Sequence, residues 1–210
     1  MQKSFRIATL AAFAGLALMV SACSKSGSGA AVTADEMDKG DPKAKVTVVE
    51  YASVACPLCA HFNAEVMPDL EKKYIDTGKI HYVYRPMMTG NPAVAAAGHR
   101  LAECSGKDKY FKVVDAIMRS QDEMGGEETG YANARPVLQR IATSVGLSDQ
   151  QFNACITDAK GLTRLNDLNQ KYLDDGVTGT PTFYINGKEF KRTKGDISDF
   201  DNVLKPLLAK

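Results

Sequence analysis

Val46-Thr47-Val48-Val49-Glu50-Tyr51-Ala52-Ser53-Val54-Ala55-Cys56-Pro57-Leu58-Cys59 is the stretch on which the reading of this chain turns. Its first six residues form a β-branched run of strand length, preceded by the turn formers Gly40, Asp41 and Pro42, and they predict a buried strand. Its far end opens a helix. Pro57 suits a first helical position, where its missing N–H costs no bond, and Leu58, Phe62, Val66, Leu70 and Tyr74 recur at helical spacing to about Ile75. Pro68 inside that pattern predicts a kink. After Gly78, residues 80–85 read as a second strand, and the β-α-β order predicts two parallel strands joined by a right-handed crossover.

Downstream, residues 93–174 are helical in pattern, with breaks near Ser105-Gly106, Gly125-Gly126, Gly146 and Gly161, and predict an all-helical insertion of four or five segments. Strand character returns at residues 182–185. Asn186-Gly187 then signals a hairpin into residues 188–192, and Ser198 or Asp199 is the expected cap of a closing helix reaching about Leu208. The fold class is α/β.

Upstream, Lys3 and Arg6 precede an apolar run at residues 7–20 and the small residues Ser21 and Ala22, the layout of a secretory signal peptide over residues 1–22. The run is shorter than the roughly 20 apolar residues that a membrane helix needs. Val20-Ser21-Ala22-Cys23 resembles the lipobox of bacterial lipoproteins, which makes Cys23 the expected lipidated first residue; the other reading is ordinary cleavage that leaves Cys23 free. A polar Gly/Ser-rich stretch follows, so residues 23–44 read as a flexible tether and 45–210 as one domain. Ser24, rather than Asp, resembles lipoproteins sorted onward to the outer membrane. Loss of Lys3 and Arg6 takes the formal charge from +1 to −1, which gives no excess to attract nucleic acid.

Five cysteines carry the chemistry: Cys23, Cys56, Cys59, Cys104 and Cys155. A lone CxxC serves as half of a zinc site or as a redox pair. Zinc needs a second pair at short spacing, and Cys104 and Cys155 are isolated from each other, so no metal is expected. Placement between strand and helix favours redox chemistry. Free N–H groups at a helix start stabilise a thiolate, which makes Cys56 the expected nucleophile and Cys59, one turn deeper, the resolving thiol.

Cys56-Pro57-Leu58-Cys59 after Glu50-Tyr51, together with Gly179-Thr180-Pro181-Thr182 far downstream, resembles the DsbA-like branch of the thioredoxin superfamily from about Val46 to the end. The resemblance implies a thioredoxin-like fold with its helical insertion between the second strand and the cis-proline strand. It implies that Pro181 is cis and lies against the CxxC, and that Thr180 offers backbone groups to an extended substrate. It also implies that Glu50 is a buried acid able to take the proton of Cys59; without it, Glu50 reads as an exposed strand-end charge. Cys104 and Cys155 resemble the structural disulfide of several DsbA-like proteins, with buried free thiols as the alternative. His61, two residues past Cys59, is expected at the surface.

The resulting expectation is a dithiol oxidase on the periplasmic side of a bacterial envelope, lipid-anchored through Cys23, with the outer membrane favoured over the inner. It would be monomeric, need no cofactor, act on cysteine-containing secreted or envelope proteins, and be reoxidised by a membrane redox partner. A disulfide isomerase or reductase kept reduced in the same compartment, and a non-catalytic binding protein on the same scaffold, stand as alternatives.

Overall fold

The computed structural model describes residues 32–33, 35–126 and 129–209. The expected signal peptide and Cys23 lie outside them. The sheet is built on β2 (Thr47–Ala52), which pairs in parallel with β3 (His81–Pro86) on one side and antiparallel with β4 (Thr182–Ile185) on the other. β1 (Met37–Gly40) closes one edge against β3, and β5 (Lys188–Phe190) closes the other against β4, giving the order β1-β3-β2-β4-β5. Five of the six residues of β2 are buried because both faces of the sheet are covered, which is why its sequence runs apolar without alternating.

The presence of β1 corrects the expected tether. Residues 37–40 lie in the sheet, so the ordered domain starts before residue 45. Four residues containing Asp38, Lys39 and Gly40 carry too little apolar alternation to announce a strand, and it is the β3 backbone that holds them.

The period-2 geometry of the sheet separates two cores. Val48, Tyr82, Tyr84, Phe183 and Ile185 belong to the larger, with Phe62, Leu70 and Phe200. Val49, Tyr51 and Val83 pack on the opposite face with Tyr172 and Val177, and the Tyr51 and Tyr172 rings meet edge to face at 4.9 Å.

Pro57 opens α1 (Pro57–Glu65), which stops at Val66, short of the expected Ile75. Pro68 has no N–H for the preceding turn and its ring crowds that turn's carbonyl, so the chain breaks there and restarts as α2 (Met67–Leu70) and a π-helical turn, Glu71–Ile75. Between β3 and β4 run α3 (Pro92–Cys104), α4 (Lys107–Arg119), α5 (Gln121–Met124), α6 (Ala134–Ser144), α7 (Asp149–Ile156) and α8 (Ala159–Asp174). Among the described residues this is six helices, the short α5 being the one beyond the expected number.

Gly161 is not a break. It lies inside α8, where a Cβ would fall 2.0 Å from the Arg100 guanidinium carbon, and the break falls instead at Asp158, which caps α8. The closing helix α9 (Ile197–Leu208) is capped by Asp196 rather than Ser198 or Asp199. Asp199 turns back to accept from the Thr193, Lys194 and Gly195 N–H groups and holds the loop after β5. Cys104, at the end of α3, is bonded to Cys155 of α7, with Cα atoms 6.3 Å apart.

Candidate functional site

The end of β2 and the start of α1 place the two remaining described cysteines. Cys56 occupies the position before the first helical residue with extended backbone (φ −94°, ψ 121°), and no side chain caps the helix there. The free N–H groups of the first turn are therefore left for the Cys56 sulfur. Its thiol is lowered to about 5 by a hydrogen bond from the Cys59 thiol, by Thr180, and by the backbone N–H groups of Cys59 and Leu58, against the opposing effect of burial. A thiol of that kind is thiolate at neutral pH.

Cys59 is fully buried, and burial followed by the neighbouring Cys56 and Glu50 raises its thiol well above the usual value. The Ser53 N–H points at its sulfur at 3.5 Å. The two sulfurs are thus driven in opposite directions, the outer one ionised and the inner one protonated. Leu58 between them is 65% exposed, and His61 is at the surface.

Glu50 lies on β2, paired in register with Tyr84 of β3 and Phe183 of β4, so its side chain faces α1. It is 2% exposed and accepts a hydrogen bond from the Tyr82 hydroxyl. Burial raises its carboxyl to about 7, with Tyr82 and the Arg192 guanidinium opposing. Glu50, Phe62, Asn63 and Tyr82 line a cleft of about 480 Å³ that also contains the Lys39–Glu71 ion pair. A carboxyl that titrates near neutrality beside such a cleft, and whose charge acts on the Cys59 thiol, has the chemistry to exchange a proton.

The Thr180–Pro181 peptide is cis, and the Thr180 carbonyl lies 3.4 Å from the Cys56 sulfur. The structure therefore brings Glu50, Cys56, Cys59, Thr180 and Pro181 to one place, while the Cys104–Cys155 pair sits apart in the helical layer. The loop after β3 ties this place together. Ser53 Oγ donates to the Thr89 carbonyl at 2.8 Å, and the Thr89 hydroxyl pairs with that of Thr180. Gly90 follows with φ +77°, and a Cβ there would fall 2.2 Å from the Ala55 carbonyl oxygen.

Tyr82, Ser53, Thr89 and Arg192 were not legible in the sequence as parts of this site. The contacts of the first three span 32 to 91 residues of chain, so even Ser53, which lies between Glu50 and Cys56, shows its part only through a partner far along the chain. Arg192 stacks over the Phe62 and Phe183 rings at 4.9 and 5.3 Å, where its charge reaches Glu50. Among the described residues no group of three or more His, Cys, Asp or Glu side chains is arranged to hold a metal, and no helix is long and apolar enough to cross a membrane.

A family model described as thioredoxin matches residues 33–205. The chain is 33% identical over 155 residues to a Rickettsia conorii protein named provisionally as a protein-disulfide oxidoreductase, covering 73% of this chain and 54% of that one. It thus spans about half the length of the first such relatives. It is 25% identical to disulfide bond formation protein D of Bacillus subtilis, over 82% of this chain and 78% of the relative. Among solved structures, alpha-DsbA1 of Wolbachia pipientis superposes with a TM-score of 0.74 at 29% identity, covering 85% of this chain and 93% of that one.

Proposed function

Since the chain belongs to the thioredoxin superfamily, in its DsbA-like branch, we propose that it is a thiol–disulfide oxidoreductase that works as a dithiol oxidase on cysteine-containing secreted or envelope proteins. The observation that carries this reading is the opposed ionisation of Cys56 and Cys59 at the start of α1. A thiolate stabilised at Cys56 favours the reduced pair over the disulfide, which makes the disulfide an electron acceptor.

The reaction starts from the Cys56–Cys59 disulfide. A substrate thiolate attacks the Cys56 sulfur, the Cys56–Cys59 bond breaks, and Cys59 leaves with the electron pair. Its high proton affinity lets it take a proton, and Glu50, a buried carboxyl whose charge acts on the Cys59 thiol, is the group proposed to supply it. The second substrate thiolate then attacks the substrate sulfur of the mixed disulfide. Substrate disulfide departs and Cys56 is released as the thiolate that its surroundings stabilise. Two electrons have passed to the protein, and a membrane-bound disulfide oxidase would remove them. Thr180, with its carbonyl beside Cys56, is placed to pair with the backbone of an extended substrate.

The signal-peptide layout and the lipobox-like Val20-Ser21-Ala22-Cys23 support a periplasm-facing protein anchored through a lipid on Cys23, and Ser24 favours the outer membrane. The protein would act as a monomer with no added cofactor. The test of the function is the reduction potential of the Cys56–Cys59 pair. A value well above the about −270 mV of thioredoxin is expected, and one as reducing as thioredoxin overturns the oxidase reading.

A further inference from the structure

The short helix α5 has four residues, too few to be stable by itself, and two of them fix it. Met124 is buried in the core of the helical layer. Gln121 reaches the other way, across to the redox loop. Its Nε2 donates to the Val54 carbonyl at 2.7 Å and to the Cys56 carbonyl at 3.2 Å, the residues on either side of Ala55. A primary amide has two hydrogens on one nitrogen, so it suits two carbonyls that a single hydroxyl cannot serve together.

These carbonyls matter because of what they sit beside. The Cys56 carbonyl already accepts the Ala60 N–H at 3.0 Å as the first bond of α1. The Val54 carbonyl belongs to the fully buried turn that carries the chain from β2 to Cys56. Carbonyl oxygens are the negative ends of peptide dipoles, and two of them near a thiolate disfavour its charge unless donors are bonded to them. Gln121 supplies those donors from the helical insertion, and the same two bonds hold the loop in the geometry that aims the first-turn N–H groups at the sulfur.

We propose that Gln121 is a positioning residue of the redox site, through which the helical insertion holds the 54–56 loop that presents the Cys56 sulfur to the first turn of α1. The proposal rests on the reading of Cys56 as the attacking thiol, and it gives the insertion a part in setting the redox property of a motif that lies outside it.

The test is a donor series read at the sulfur. Thiolate absorbance of the reduced protein is followed against pH for the parent, Gln121→Met and Gln121→Lys, with thermal unfolding measured on each. Met keeps the length and removes the donors, so the Cys56 midpoint should rise by about half a unit or more, roughly a threefold loss of thiolate at a pH below the midpoint. Lys keeps donors and adds a positive charge, so its midpoint should stay at or below that of the parent. A merely structural role would lower the unfolding temperature of both variants without this opposite ordering. An unchanged midpoint in Gln121→Met, or equal upward shifts in both, overturns the inference. A parent protein with no low-titrating thiolate would instead overturn the reading of Cys56 on which it rests, so the two failures are distinguishable.

Discussion

Tyr82 donates its hydroxyl hydrogen to the Glu50 carboxylate from the neighbouring strand, and both side chains are buried beneath the helix that carries Cys56 and Cys59. One hydrogen bond does not offset the desolvation of a carboxylate, so the Glu50 carboxyl is raised to about 7 rather than lowered.

That relationship has a sign in stability. In the unfolded chain Glu50 ionises near 4.5, and in the folded protein near 7, so the folded state holds the proton more tightly. Its contribution is complete below the unfolded value and is lost as pH rises from about 4.5 to 7. Glu50→Gln, which stays neutral, should match the parent near pH 4 and exceed it at pH 8 by about 3 kcal/mol. Chemical denaturation of both proteins at the two pH values checks this.

Removal of Cys59 should weaken the Cys56 thiolate. The Cys59 thiol is the largest of the groups that lower Cys56, so Cys59→Ala is expected to move the Cys56 midpoint upward from about 5. A shift of about one unit is the size of one such hydrogen bond to a charged sulfur. Alkylation rate against pH reports it. In the same variant Cys56 can still attack a substrate disulfide and displace one of its thiolates, but no Cys59 thiolate is there to release the substrate, so mixed disulfides should accumulate in cells, visible as bands that vanish on reduction.

The Cys104–Cys155 bond should act on stability and leave the redox pair alone. It closes a sequence separation of 51 residues between α3 and α7. On the chain-entropy account its loss costs about 4 kcal/mol. A Cys104→Ala, Cys155→Ala double variant is therefore expected to unfold at clearly lower denaturant, with the Cys56 titration midpoint unmoved.

The proposed lipid anchor rests on the sulfur of Cys23. Cys23→Ala is expected to shift the protein from the membrane fraction to the soluble periplasmic fraction, while the purified protein keeps the reduction potential of the parent. Fractionation followed by immunodetection reads this out.

Much of the site was legible because the chemistry is local. Cys56, Pro57 and Cys59 are fixed within one helical turn, and the apolar run before them announces a buried strand. The two strands on either side of α1 and the Asn186-Gly187 hairpin followed from residue types alone, since β-branched runs and left-handed turn residues restrict the backbone wherever they occur. What escaped was of two kinds. β1 and α5 are four residues each, too short for a period to show, and they exist because tertiary partners hold them. Gly161 reads as a helix stop and is instead a contact point, where Arg100 needs the space of a missing side chain.

By itself, then, the sequence determined the α/β order, the redox motif at a helix start and the position of the second motif at Thr180-Pro181, since each depends on neighbours a few residues apart. Only the tertiary structure decided how strongly the two thiols differ, which strand partner meets Glu50, and that Thr89 and Gln121 brace the loop. Those are matters of burial and of hydrogen bonds across 32 to 91 residues of chain, and a desolvation energy has no value until the groups that exclude the water are in place.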